Sequence, residues 1–285
     1  MYAGTFPSDA PPAPYAGADL PAYVRGEGVL RMRFAPRPRG TEAIDLRESG
    51  GFRVRFPRVG PCEAVMINTG GGMTGGDRLS VDITLEAGAE AIATTQSAEK
   101  VYRSTGAATQ VDVRLALAGG SRFAWLPQES ILFDRARLSR RFAVEMAGDA
   151  RLTLAESITF GRGAMGEEVR NAALADTWRV RRDGELLFAE NIRLDGDLAA
   201  LLDRPAIGGA ARDVATMLHV APDAEARIDE ARDALEGAES DCGASAWSGM
   251  MVVRFAAPSP AVVRRDLARF LQAFRSGPLP RVWQC

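Results

Sequence analysis

The chain has 285 residues, 46% of them hydrophobic and 25% charged, with a formal net charge of −2. That composition can bury a sizeable core, and the near-neutral balance argues against nucleic acid or an anionic membrane as the main partner. One histidine and three widely spaced cysteines (Cys62, Cys242 and Cys285) exclude a three-histidine metal centre and disfavour a zinc ribbon or a disulfide framework; a reducing, cytosolic setting fits them best.

Residues 1–22 are rich in Ala and Pro, without a basic start or a long apolar core, and read as a flexible tail rather than a signal peptide. Residues 23–285 are expected to form one domain. No run of about eighteen apolar residues occurs, so no membrane span is expected. Val29 to Phe34 and Phe52 to Phe56 alternate apolar and polar, with Pro and Gly between them, and read as strands. Glu63 to Ile67 is a mostly apolar strand, and Leu79 to Leu85 alternates again. Further strands are expected over 89–96, 110–118, 122–127, 136–146, 151–160 and 177–182. Asp183-Gly184 is a two-residue hairpin signal leading into Glu185 to Ala189. Strands at this spacing, joined by turns, predict a mainly β fold of stacked, twisted sheets, and without an internal sequence repeat neither a propeller nor a solenoid is expected.

Near residue 200 the pattern changes. Residues 197–203 read as a helical turn or a loop, and 214–220 as a strand that ends near the single histidine, His219. Ala224, Ile228, Ala231 and Leu235 then recur at helical spacing. Trp247 to Phe255 returns to strand. Ser259, with Pro260 behind it, marks the start of a helix whose apolar stripe is Val263, Leu267, Phe270 and Phe274. Two helices are thus expected in the C-terminal third.

Asn68 to Leu79 holds five glycines in seven residues, Gly70 to Gly76. Gly70 to Gly75 formally matches G-x-G-x-x-G, which would make a dinucleotide-dependent oxidoreductase the alternative reading. That fingerprint needs a helix directly after it to receive the pyrophosphate, whereas a strand pattern follows here. No Lys-Ser/Thr follows either, which removes the phosphate-binding loop of nucleotide hydrolases. A nucleophile elbow is absent, and His219 is the only histidine for any triad. What recurs is carboxylate beside glycine, arginine or amide: Asp77, Glu99, Glu129, Asp134, Glu156, Glu167 and Glu168.

Three further segments carry unusual punctuation: Thr94 to Ser104 (TTQSAEKVYRS), Leu126 to Asp134 (LPQESILFD) and Phe160 to Glu167 (FGRGAMGE). With the glycine loop they resemble the UreD (UreH) family of urease accessory proteins, in the same order from near Val29 to the Pro280-Arg281-Val282-Trp283 ending. The resemblance implies a non-enzymatic assembly factor for the nickel centre of urease. It implies a β-rich fold with two helices, partners of the UreF and UreG types together with apo-urease, and GTP chemistry that belongs to the UreG-type partner; a homodimer within the accessory complex is compatible with it. It also implies no tightly bound cofactor, but nickel in transit through an internal passage, in a cytoplasmic protein. A passage for a divalent cation needs carboxylates and carbonyls that attract without trapping. Asp77, Glu99, Glu129, Asp134, Glu156 and Glu167 are the candidate lining groups for nickel.

Overall fold

The structure, a computed structural model, describes residues 25–57, 60–275 and 277–284. The expected tail over 1–22 and Cys285 lie outside the described residues. In chain order the strands are β1 (Glu27–Arg37), β2 (Gly40–Ser49), β3 (Phe52–Arg55), β4 (Glu63–Asn68), β5 (Arg78–Leu85), β6 (Glu90–Thr95), β7 (Glu99–Val101), β8 (Thr109–Leu117) and β9 (Arg122–Trp125). They continue with β10 (Ser130–Leu132), β11 (Arg137–Met146), β12 (Arg151–Phe160), β13 (Ala172–Arg182), β14 (Glu185–Gly196), β15 (Asp213–Val220), β16 (Asp241–Trp247) and β17 (Met250–Ala257). The helices are α1 (Leu198–Asp203), α2 (Ile228–Leu235) and α3 (Pro260–Phe274).

Two sheets form. One has seven strands in the order β14-β13-β11-β8-β5-β1-β2; the other has ten, in the order β16-β17-β15-β12-β9-β6-β4-β3, with β10 beside β12 and β7 beside β10. From β4 to β13 the chain passes back and forth between them. Parallel neighbours cannot be joined by a tight hairpin and require a crossover. Here the crossover between two strands of one sheet is a strand of the other. Arg78 pairs with Gln110 and Thr109 with Leu138 in one sheet, while Glu63 pairs with Ile92 and Arg122 with Arg151 in the other. The result is a solenoid-like stack of coils, which corrects the expectation drawn from the missing sequence repeat: backbone pairing from coil to coil builds the stack without one. A short third face closes each coil, where Met73 bridges to Val101, Val101 pairs with Leu132 and Leu132 with Phe160.

The core lies in layers. Ile83, Leu115 and Val144 of the seven-stranded sheet meet Ala93, Phe123 and Leu154 of the other across the interior. The outer face of the ten-stranded sheet is covered by α2 and α3, with Phe270 and Phe274 against Met217, Val253 and Phe255. This sheet is therefore buried on both faces along β12, whose sequence is nearly continuous in buried residues. Among the described residues no helix is long and apolar enough to cross a membrane. Cys62 and Cys242 are both unbonded.

Several expectations need correction. The stretch between the first two expected strands is itself β2, an edge strand with no buried residue and hence no apolar face to read. The strand expected over 247–255 is instead the turn and second strand of a hairpin formed by β16 and β17, turning at Ser248-Gly249, both at positive φ. The short strands β7 and β10 lie within segments that carried no alternation. The Asp183-Gly184 turn is as expected, with both residues at positive φ. Residues 198–203 are helical, and Asp197 caps them by accepting from Ala200 N. Ser259 occupies the position before α3, yet its side chain makes no capping bond.

Candidate functional site

Arg140, Glu156 and Asp176 lie at the centre of the interior, each 5% exposed or less. Arg140 sits on β11 in register with Asp176 of β13, and both point inward with their apolar neighbours Leu138, Phe142, Leu174 and Trp178. Glu156 comes from β12 on the facing sheet. The Arg140 guanidinium donates Nε to Asp176 Oδ1 (3.1 Å) and Nη2 to Oδ2 (2.6 Å), and its Nη1 donates to Glu156. Trp125 Nε1 donates to Glu156 (2.6 Å) and Trp178 Nε1 to Asp176 (3.2 Å). Two carboxylates share one guanidinium. Burial raises the Glu156 carboxyl above the usual range, against the pull of Arg140 and Trp125.

Arg140, Glu156 and Trp125 of this cluster floor a hollow of about 130 Å³ between the sheets. Its walls are partly apolar (Leu30, Met66, Val81) and partly polar (Asn68, Thr95, Glu99, Gln128, Ser130). At roughly 10–15 Å³ for the first water, a hollow of this size with polar walls accommodates several. Glu99 stands at its side on β7, where Asn68 Nδ2 donates to its carboxylate (2.8 Å). Burial pushes the Glu99 carboxyl up to about 7, opposed by that bond and by Lys100.

The glycine loop forms the wall between this hollow and the outside. Gly71, Gly72 and Met73 face inward, while Thr74 faces an outer cleft. Met73 N donates to Lys100 O (2.7 Å) and Tyr102 N to Met73 O (2.8 Å), so the loop is laid down as part of the third face. A Cβ on Gly72, at φ +152°, would lie 2.4 Å from the Tyr102 ring, and one on Gly75 would lie 1.9 Å from Ser104 Oγ. Close approach of backbone to neighbour, rather than a cradle for phosphate, is what these glycines provide. The loop runs into β5, a strand.

The six carboxylates proposed from sequence fall into four places. Glu99 and Glu156 line the hollow. Asp134 and Glu167 line the outer cleft with Tyr102, Phe133, Arg135 and Arg162. There Glu167 accepts from Arg162 Nε (2.9 Å) and Asp134 from the backbone N–H of Arg170 and Asn171 (both 2.9 Å). Arg162 holds the Glu167 carboxyl below its ordinary value. Asp77 closes the exit of the glycine loop, accepting from Gly26 N (2.8 Å) and Thr74 N (2.7 Å). Glu129 pairs with Arg264 of α3 (3.1 Å). Among the described residues no group of three His, Cys, Asp or Glu side chains is placed to hold a metal ion. Sequence reading missed Arg140 and Asp176. The signal was there, since each is a charge at an apolar position of an alternating strand.

A family model for the UreD urease accessory protein matches residues 26–284. Urease accessory protein UreD of Azorhizobium caulinodans is 47% identical over 268 residues, covering 93% of this chain and 99% of the relative. Urease accessory protein UreD of Xanthobacter autotrophicus is 48% identical over 91% of this chain and 90% of its own length. Urease accessory protein UreD 3 of Methylorubrum extorquens is 46% identical over 99% and 98%. The chain belongs to the UreD family of urease accessory proteins, and its place is in urease maturation.

Proposed function

We propose that the chain acts as a non-enzymatic scaffold that holds apo-urease beside UreF-type and UreG-type partners, and that nickel travels through the hollow between its sheets. The observation that carries this is the hollow itself, with Glu99 at its side. Its polar donors are carboxylate, amide, hydroxyl and backbone oxygen, hard ligands that attract a divalent cation yet hold a transition metal weakly. Cargo must be released, so a dense nitrogen and sulfur site would defeat the purpose. Glu99 titrates near neutrality, which lets an arriving cation displace a proton at modest cost. The protein is read as cytoplasmic, as its free cysteines suit a reducing compartment.

The test is co-expression with apo-urease and the accessory proteins, reading partner capture on an affinity column and nickel per urease active site. Glu99→Ala should lower nickel content while partners are still captured. Failure to capture the partners at all would end the scaffold reading. If single Ala changes at Asp77, Glu99, Glu129, Asp134, Glu156 and Glu167 all left nickel loading untouched, the passage reading would be wrong.

A further inference from the structure

The second place where the fold leaves polar groups unspent lies on the opposite face of the ten-stranded sheet, at the end of α3. There a cleft of about 290 Å³ is lined by Arg122, Arg151, Thr153, His219, Arg227 and Arg275, with Phe274 and Glu90. Thr153 of β12 is the direct cross-strand partner of His219 on β15, and on its other side it pairs with Ala124 of β9. Arg122 and Arg151 are register partners on the same pair of strands. Like charges placed so are unfavourable without something between or beside them. Arg151 is met by Asp223 (2.5 Å) and Arg227 by Glu230 (2.7 Å). Against Arg122 and Arg275 stands Glu90 alone among the acidic lining residues, so the cleft keeps an excess of positive charge.

Two buried polar atoms on this cleft have no hydrogen-bond partner, His219 Nε2 and Arg275 Nη1. His219 is only 6% exposed, wedged edge-on against the Phe274 ring, whose centroid also lies 3.9 Å from the Arg227 guanidinium carbon. Its Nδ1 lies 3.1 Å from Thr153 Oγ1. With the Thr153 hydroxyl assigned as donor to Nδ1, the ring proton sits on Nε2. Both unpartnered atoms are then donors. Burying two unpaired donors, one on a guanidinium, is costly, and a single group with several acceptor oxygens satisfies both. The opposite tautomer would present a lone pair to a cation, which four surrounding arginines disfavour.

We propose that this cleft binds a small oxyanion, of the phosphate, sulfate or bicarbonate class, between Arg275 Nη1 and His219 Nε2, with Arg122 at the exposed rim. The site is independent of the hollow, being on the other face of the sheet. Burial, with Arg227 next in effect, depresses the His219 pKa to about 4, while Arg151 also disfavours the proton and Asp223 and Glu230 favour it. His219 is therefore a neutral donor at pH 7. A bound anion favours the imidazolium and moves this titration upward.

The chain carries one histidine, so its imidazole is a private reporter. The full-length protein labelled with 15N-histidine is titrated with inorganic phosphate at constant ionic strength, with unlabelled partner proteins present if they keep it in solution. The expected result is a saturable change in the Nε2 resonance and an upward move of the His219 titration midpoint. Arg275→Gln should weaken phosphate binding about tenfold or more, the worth of one charge-assisted hydrogen bond. Arg122→Gln, at the rim where folding is not at stake, should weaken it several-fold. Sulfate and bicarbonate competing for the same change would support the oxyanion class. An imidazole unmoved by all three ions, or moved equally in wild type and both variants, would overturn the proposal.

Discussion

Glu99 and Glu167 are the same side chain on the two sides of one loop, and their surroundings push them in opposite directions. Glu167 faces the outer cleft, where Arg162 and two backbone N–H groups saturate its oxygens and lower its pKa. Glu99 faces the hollow, with the Asn68 amide as its one hydrogen-bonding side chain among the described residues, and is pushed up to about 7. A carboxylate already neutralised by a guanidinium is a structural tie. One that is desolvated and underpaired gains most from an arriving cation. The position of a glutamate relative to water and arginine, not its presence in a motif, therefore decides which of the two can serve a passage.

The sharpest way to break this comparison is to remove the cation that already resides in the interior. Arg140→Met leaves Glu156 and Asp176 buried without their shared partner. It should cost about 3–5 kcal/mol in urea unfolding, the usual consequence of stranding a buried charge. A loss under about 1 kcal/mol would mean that water already screens the cluster, as it does surface pairs, and the hollow would then be more open than its walls suggest.

The part of the fold that was legible in the sequence was the part with one wet face or one apolar stripe. Alternation from Gln110 to Ala118 and the stripe Val263-Leu267-Phe270-Phe274 correspond to β8 and α3 because burial on one side imprints a period. β2 escaped because it is an edge with nothing buried, and β7 and β10 because three residues are too few to show a period. The coil-by-coil stacking left no repeat, since each turn differs in length and corner. At the site, Glu99 stood out through its segment and Glu156 as a carboxylate within an expected strand, while Arg140 and Asp176 did not. Reading strands for their apolar members hides the charge that shares their face: Leu138, Arg140 and Phe142 point the same way. The pairing of Asp134 with Glu167 across the outer cleft depends on tertiary approach that no local pattern records.

A medium effect should come from Glu99→Gln, which retains the Asn68 contact but cannot ionise. The Glu99 carboxyl is raised from 4.5 to about 7 in the folded protein. The native state thus holds its proton longer than the unfolded chain, and stability falls as pH rises from 4.5 to 7, remaining lower above. The variant escapes that loss. It should be more stable than the parent at pH 8 by about 2 kcal/mol after allowing for solvent screening, with the difference vanishing below pH 4.5. Asp213, buried and also raised to about 7, titrates in the same window, so parent and variant must be compared at each pH. A difference that stays flat from pH 5 to pH 8 would show that Glu99 is not the strained carboxylate described.

The smallest effect belongs to Glu167→Gln, and it is the one that divides tie from passage. Glutamine can still accept from Arg162, and the ion pair it replaces is exposed on the arginine side, so thermal stability should drop only slightly. The sign is opposite to that of Glu99. A lowered carboxylate stabilises above its unfolded value and loses that contribution as pH falls, so the small penalty of Glu167→Gln should be largest at neutral pH and fade on acidification. Nickel loading of urease then completes the contrast. Glu99→Gln, more stable, should load more slowly; Glu167→Gln, slightly less stable, should load at the parental rate. Loss of loading in Glu167→Gln with normal loading in Glu99→Gln would move the route from the hollow to the outer cleft, because stability and transport would then have failed to separate in the way that the two environments require.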